Sequence, residues 1–209
     1  MSLEDAMEST LGPRVFAART ADPSGADEDV RLLESARTDP TAFARVYERC
    51  LPRVYRYCLR RLGTREEAED ATALVFTRAL AGLSGYRGGS AAAWLFRIAH
   101  HTVANELRDR RPALSLDRSC PEAHELANSG ANVLDGLVRA EERQEVARVL
   151  ATLSAEQREL LALKVAGQLS AREIGAILGK SEGAVRVALH RTIQQLRAAL
   201  DAAEEDTNA

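Results

Sequence analysis

Three boxes of a serine or threonine followed three residues later by glutamate or glutamine, at Thr64 and Glu67, Ser154 and Gln157, and Ser170 and Glu173, each open a stretch whose apolar residues recur every three or four positions. In such a box the two side chains satisfy each other's orphan backbone N–H groups, which fixes a helix start. Asp39-Pro40 adds an N-cap with a first-turn proline, Ser90 adds another cap, and Gly63, Gly82 and Gly167 close helical runs. β-Branched residues are few and never alternate with polar ones over four or more positions, so no segment reads as a strand. The chain is read as all-α.

A length of 209 residues allows one ordinary domain or two small ones, and the helical signals fall into two groups. Residues 1–26 mix Ser, Gly, Pro and acids without apolar period and are expected to be a disordered acidic tail. Residues 27–112 form the first helical module. Its long segment carries Phe43, Val46, Tyr47, Leu51, Val54, Tyr55 and Cys58 at helical spacing, with Pro52 expected to kink or break it. A helix follows from Thr64 to about Ala81, then a loop with four glycines over 82–90, then a helix with Trp94, Leu95, Ile98, Thr102 and Val103 on one side and Arg97, His100, His101, Asn105 and Arg108 on the other. Trp94 reads either as core or as a base-stacking ring. Residues 113–135 are an acidic linker with Pro121 and Gly130, residues 136–200 form a second helical module, and 201–209 is a second acidic tail.

Net charge is -3, but the charge is segregated. Residues 40–112 carry 13 basic and 7 acidic groups and 136–200 carry 10 and 7, whereas 1–39 carry 4 and 9. Two basic modules therefore lie between acidic segments. Lys164 and Lys180 are the only lysines. The other cations are guanidinium forks suited to phosphate and base edges, a pattern that compositional arginine bias would also produce.

Several chemistries are excluded. Cys50, Cys58 and Cys120 contain no CxxC pair and read as reduced thiols. Cys120 and His124 supply only two ligands in a linker, too few to close a metal site. No GxSxG and no nucleophile–base constellation occurs, so neither an enzyme nor a cofactor is expected. The segment GAILGKS over 175–181 has three residues between its glycines where a phosphate loop needs four, and it follows a helix rather than a strand. No apolar run reaches the ~20 residues of a membrane span. Met1–Leu11 has Glu4, Asp5 and Glu8 in place of a basic leader start, so a cytoplasmic location is expected.

The most specific local signal is a helix-turn-helix: a short helix over 171–178, a turn at Gly179, and a long helix with Val185, Leu189, Ile193, Leu196 and Leu200 inward. Small Gly175 allows close approach of the two helices. Entering a major groove by its N-terminal end, the second helix would present Glu182, Arg186, His190 and Arg191 to bases and phosphates.

With AFARVYERCLPRVYRYCLRRLG, EEAEDATALVF, WLFRIAHHTVANELRDRR and the C-terminal helix-turn-helix in this order, residues 27–200 resemble a bacterial RNA polymerase sigma factor of the extracytoplasmic-function group. That resemblance implies two domains, sigma2 and sigma4, that bring core RNA polymerase to promoters and help melt them. It implies that the helix 66–80 docks on the β′ clamp helices of core polymerase, with Glu69, Asp70, Val75, Phe76 and Arg78 as core-binding positions. Relatives carry Gln and an acid where this chain has Ala73-Leu74, so the contact is expected to be more apolar. Tyr86, Arg87, Arg97, His101, Asn105 and Arg108 match the part that captures a flipped minus-ten base, and Arg186, His190 and Arg191 match the minus-35 reading positions. Ala188 stands where relatives often carry arginine. The linker, with Asp117, Glu122 and Glu125, resembles the segment that threads the polymerase cleft, and an anti-sigma factor is a common partner in the group. A free-standing helix-turn-helix regulator acting without polymerase is the competing reading.

Overall fold

The computed structural model describes residues 23–110 and 149–207, and all regular structure among them is helical. The helices are α1 (Pro23–Ala36), α2 (Pro40–Leu62), α3 (Arg65–Ala81), a single 3-10 turn (Leu83–Gly85), α4 (Ala91–Asp109), α5 (Ala155–Val165), α6 (Ala171–Leu178) and α7 (Glu182–Thr207). The expected linker over 113–135, most of the expected helix over 136–152, and Cys120 and His124 lie outside the described residues. None of the described helices is long and apolar enough to cross a membrane.

Capping sets most boundaries. Asp39 accepts from Thr41 N, Thr64 from Glu67 N and Ser90 from Ala93 N, while Ser154 and Ser170 form complete capping boxes with Gln157 and Glu173. Gly63 ends α2 in the left-handed region at φ 91°, its N–H donating to Leu59 O.

Three expectations are corrected. Helix α2 runs unbroken through Pro52. The ring removes one N–H and crowds the carbonyl of residue 48, but Glu48 and Pro52 are both exposed, so water serves that carbonyl. Val46 and Cys50 before it, and Val54, Tyr57 and Cys58 after it, are buried in one core that both halves share. At the C-terminus α7 continues to Thr207 through most of the acidic tail. Alanines 198, 199, 202 and 203 are strong helix formers that carry it past the last apolar contact at Leu200. At the other end, α1 begins at Pro23, inside the expected tail.

Helices α1–α4 form the first module, with Leu33, Val54, Tyr57, Val75, Leu95 and Phe96 at its centre. Helices α5–α7 form the second, around Leu160, Leu163, Ile174, Val185, Leu189 and Ile193. The modules also touch, α2 against α5 and α4 against α6, and one apolar cluster takes in buried residues of both. Cys50 and Cys58 are free thiols whose pKa burial pushes up to about 11, which keeps them protonated and unreactive.

Two glycines are required by space. A Cβ on Gly175 would lie 2.5 Å from the carbonyl oxygen of Lys180, in the turn that Gly179 forms at φ 68°. Lys180 N in turn donates to Gly175 O at 2.9 Å, so neither backbone segment can retreat. At Gly167 a Cβ would meet Leu163 O at 2.5 Å and the Phe96 ring at 3.3 Å, across the two modules. The left-handed residue of that turn is its neighbour Gln168, at φ 52°. Replacing Gly175 with alanine is expected to destabilise the chain by about 1–3 kcal/mol through overpacking, despite alanine's better helix propensity. Urea denaturation of Gly175→Ala checks this, and unchanged stability would mean the turn yields.

Candidate nucleic-acid interface

In the second module the short helix α6 positions α7. Ser181 Oγ accepts from Ala184 N at 3.2 Å, and Val185, Leu189, Ile193 and Leu196 anchor one side of α7 in the core. This leaves Arg186, Val187, His190, Arg191 and Gln194 exposed on the opposite side. Of the four residues expected at the groove, Arg186, His190 and Arg191 are exposed and Glu182 is half-buried. Arg186 Nη2 is ion-paired with Glu182 Oε1 one turn earlier. Reaching a base edge requires Arg186 to leave that partner, whereas Arg191 lies further along the same exposed side. Val187, 51% exposed, is an apolar group on this side that the sequence reading did not single out.

In the first module, Gly88 and Gly89 both adopt φ 86°, a conformation that lets the loop fold back before α4. Tyr86 holds the fold-back: its hydroxyl donates to Gly89 O at 2.6 Å and its ring meets Trp94 edge-on at 5.4 Å between centroids. Tyr86 is only 2% exposed, so its expected role at a DNA strand is corrected to that of a loop anchor. Trp94 is half-buried against the same core. Arg87 remains exposed at the loop tip, and Arg97, His101 and Arg108 are exposed along α4. Asn105 is half-buried, and its Oδ1 accepts from Arg108 Nη2 at 2.7 Å.

Helix α3 sorts the remaining expected positions. Glu66, Asp70, Ala73, Thr77 and Leu80 follow one another by four and three residues and are all exposed, as is Glu69 beside them. Glu69 is paired with Arg65 at 2.7 Å. Val75 and Phe76 are 0% and 4% exposed, which corrects their expected docking role: both are core. Arg78 Nη1 donates to Thr102 Oγ1 on α4 at 2.9 Å, so it ties two helices of the module together. The apolar groups that α3 and its neighbour do expose are Leu80, at 51%, and Tyr47, at 40% and packed edge-on against Phe76. Helical spacing alone cannot find Leu80, because apolar residues run around most of α3.

His100, expected on the open polar face, turns instead toward the second module. Its Nδ1 lies 2.9 Å from Glu159 Oε1 on α5, and Tyr57 OH donates to the same oxygen at 2.6 Å. Arg61 Nε is 2.6 Å from Oε2. Burial by itself pushes the Glu159 carboxyl up, but the His100 hydrogen bond, the Arg61 charge and the Tyr57 hydroxyl outweigh it and hold the pKa below its ordinary value. Glu159 is thus a buried carboxylate. Nothing in its local sequence distinguishes it from the surface acids of the other helices.

Comparison with known proteins gives a consistent pattern. The family model for sigma-70 region 2 matches residues 46–113, and that for sigma-70 region 4 matches residues 143–196. The ECF RNA polymerase sigma factor SigD of Mycobacterium tuberculosis is 35% identical, over 81% of this chain and 82% of the relative. The ECF RNA polymerase sigma factor BldN of Streptomyces coelicolor is 33% identical over 85% and 68% respectively. Among solved structures, that of CnrH in complex with the cytosolic domain of CnrY is similar with a TM-score of 0.60 and 25% identity, covering 84% of this chain and 99% of that one.

The exposed arginines of α7 divide by role according to how they fail. Arg191→Ala or Arg186→Ala at a base-reading position is expected to weaken duplex binding by about 1–3 kcal/mol and relax preference at one base pair, whereas a phosphate contact weakens all sequences alike and lowers the salt slope by about 0.9. Fluorescence anisotropy against a panel of single-base-pair variants separates the two. If both variants bind like the wild type, α7 is not the reading helix.

Proposed function

Because the chain belongs to the extracytoplasmic-function group of RNA polymerase sigma factors, and such factors are DNA-binding initiation factors rather than enzymes, we propose the division of labour among its surfaces. The second module reads the minus-35 element as duplex through Arg186, His190 and Arg191, with Glu182 setting the resting position of Arg186. The first module holds the minus-ten strand on Arg87, Arg97, His101, Asn105 and Arg108. The exposed stripe of α3, with Glu69 and Asp70, docks on the β′ clamp helices of core polymerase.

The observation that carries this reading is the presence, in one chain, of two differently built cationic surfaces. One lies on the solvent side of a helix-turn-helix. The other runs along α4 beside a loop folded back on two left-handed glycines. A groove reader needs only the first. A protein that opens DNA also needs cations for displaced phosphates and a recess for an unstacked base. Arg108 and Asn105 hold each other at 2.7 Å, which keeps the amide of Asn105 fixed on this face with its NH2 group available as a donor. An anti-sigma partner is part of the same proposal, since the sigma factor RpoE of Bartonella quintana, of similar fold, was solved in complex with the anti-sigma factor NepR.

Run-off transcription with core polymerase on fragmented genomic DNA tests the reading as a whole. Promoter-specific transcripts that depend on the chain are expected. A palindromic footprint made by the chain alone, with no transcript, would instead identify a free-standing regulator.

Asp70 is exposed on α3, so its replacement by arginine leaves the core intact while reversing a charge at the docking surface. Asp70→Arg is expected to abolish co-purification with core polymerase, with circular dichroism unchanged. Co-purification at the wild-type level would remove α3 from the docking surface.

Asn105→Ala is expected to leave polymerase association and minus-35 binding intact while reducing strand opening. Permanganate reactivity of unpaired thymines measures opening. The defect should shrink on a template mismatched across the minus-ten region, because premelting removes the step that Asn105 serves. Wild-type opening of a fully paired promoter by the variant would show that the residue is merely solvated.

A further inference from the structure

Two hydrogen-bonding groups and one cation of the first module converge on one carboxylate of the second. Tyr57 and Arg61 come from α2 and His100 from α4, two helices joined by the first module's own core. The cup they form is therefore built by that module, and Glu159 is the ligand that α5 inserts into it. The rest of the contact has the same polarity. Arg53, its guanidinium 5.6 Å from the centre of the Phe96 ring, donates to the Gly167 carbonyl. The first module thus offers cations and a hydroxyl, and the second offers a carboxylate and a carbonyl.

The cup also adjoins the strand-binding face. His100 packs on His101, with ring centroids 5.6 Å apart, and lies three residues, about one helical turn, from Arg97. A carboxylate and a phosphate make the same demands of such donors: charge-assisted contacts of about 2.7–2.9 Å from guanidinium and imidazole nitrogens.

We propose that the cup of Tyr57, Arg61 and His100 is a backbone-phosphate site of the first module, filled in this closed form by Glu159 as an internal stand-in, so that the second module competes with the nucleic-acid strand. The proposal rests on the sigma-factor division of labour given above. Minus-ten and minus-35 elements are separated by about 25 base pairs, about 85 Å at 3.4 Å per pair, and modules in side-chain contact cannot span that distance. The chain has to open before it reads both elements. Opening leaves Arg61 and His100 without their anion, and a phosphate of the captured strand restores it. Buried ion clusters suit such an exchange. They add little net stability while complete, yet are costly to leave half-made, so closure and strand binding become alternatives.

Full-length Glu159→Ala and Glu159→Ala/Arg61→Ala separate the stand-in from the site. Small-angle scattering should show both variants expanded relative to the wild type, with circular dichroism confirming retained helices. Binding of a fluorescein-labelled oligothymidylate without polymerase should tighten roughly tenfold at low salt for Glu159→Ala, with a salt slope steeper by about 0.7. The double variant should show neither gain. Equal affinities of the two variants, a Glu159→Ala chain as closed as the wild type, or a gain for polyglutamate instead of oligothymidylate would each overturn the proposal. Arg97→Ala reports separately on the underlying reading. If it leaves oligothymidylate binding unchanged, the α4 face is not a strand-binding surface. If it weakens binding while the two Glu159 variants stay equal, only the cup is refuted.

Discussion

A single buried carboxylate decides how the two halves of this protein meet. Glu159 is 7% exposed, and an ionised acid at that depth persists only with cations and donors arranged around both oxygens. Those groups come from the other module, on two different helices. Other features of the contact follow from this placement. A Cβ at Gly167 would collide with the Leu163 carbonyl of α5 and press on the Phe96 ring across the contact, and Arg53 reaches the Gly167 carbonyl.

The same economy runs through the surfaces assigned to nucleic acid and polymerase. Arg186 rests on Glu182, Arg108 on Asn105, and Arg78 on Thr102. Such partners fix rotamers and lower the entropy lost on binding, but each has to be exchanged, released or kept when a phosphate arrives. The exposed Arg186–Glu182 ion pair is worth little to stability. The consequence of such partners is selectivity, since only a ligand that replaces the lost contact gains from displacing it.

Tyr86, Val75 and Phe76 show the limit of carrying roles over by position. Each lies in a segment that matches a sigma-factor motif, yet each is buried: Val75 and Phe76 because a helix presents only part of its circumference to a partner, Tyr86 because its ring and hydroxyl anchor the loop before α4. In α3 apolar residues lie on nearly every side, so spacing gives no preference between Val75 facing inward and Leu80 facing outward. Contact with α2 and α4 makes that choice. In α7 the apolar residues keep to one stripe, and Val185, Leu189, Ile193 and Leu196 were legible as the inner side, which leaves Arg186 and Arg191 on the exposed one.

Local chemistry by itself determined the helices and their order. Capping boxes, a left-handed glycine at Gly63 and another at Gly179 act within a few residues, so their outcome is written in short stretches of sequence. The helix-turn-helix and its exposed side follow from the same range of information, as does the need for a small residue at Gly175. Tertiary structure alone decided the continuity of α2 across Pro52, since a shared core on both sides outweighs one missing hydrogen bond. It alone turned His100 away from the open face and buried Glu159, residues 59 positions apart, because the energy of a charge depends on which distant groups surround it.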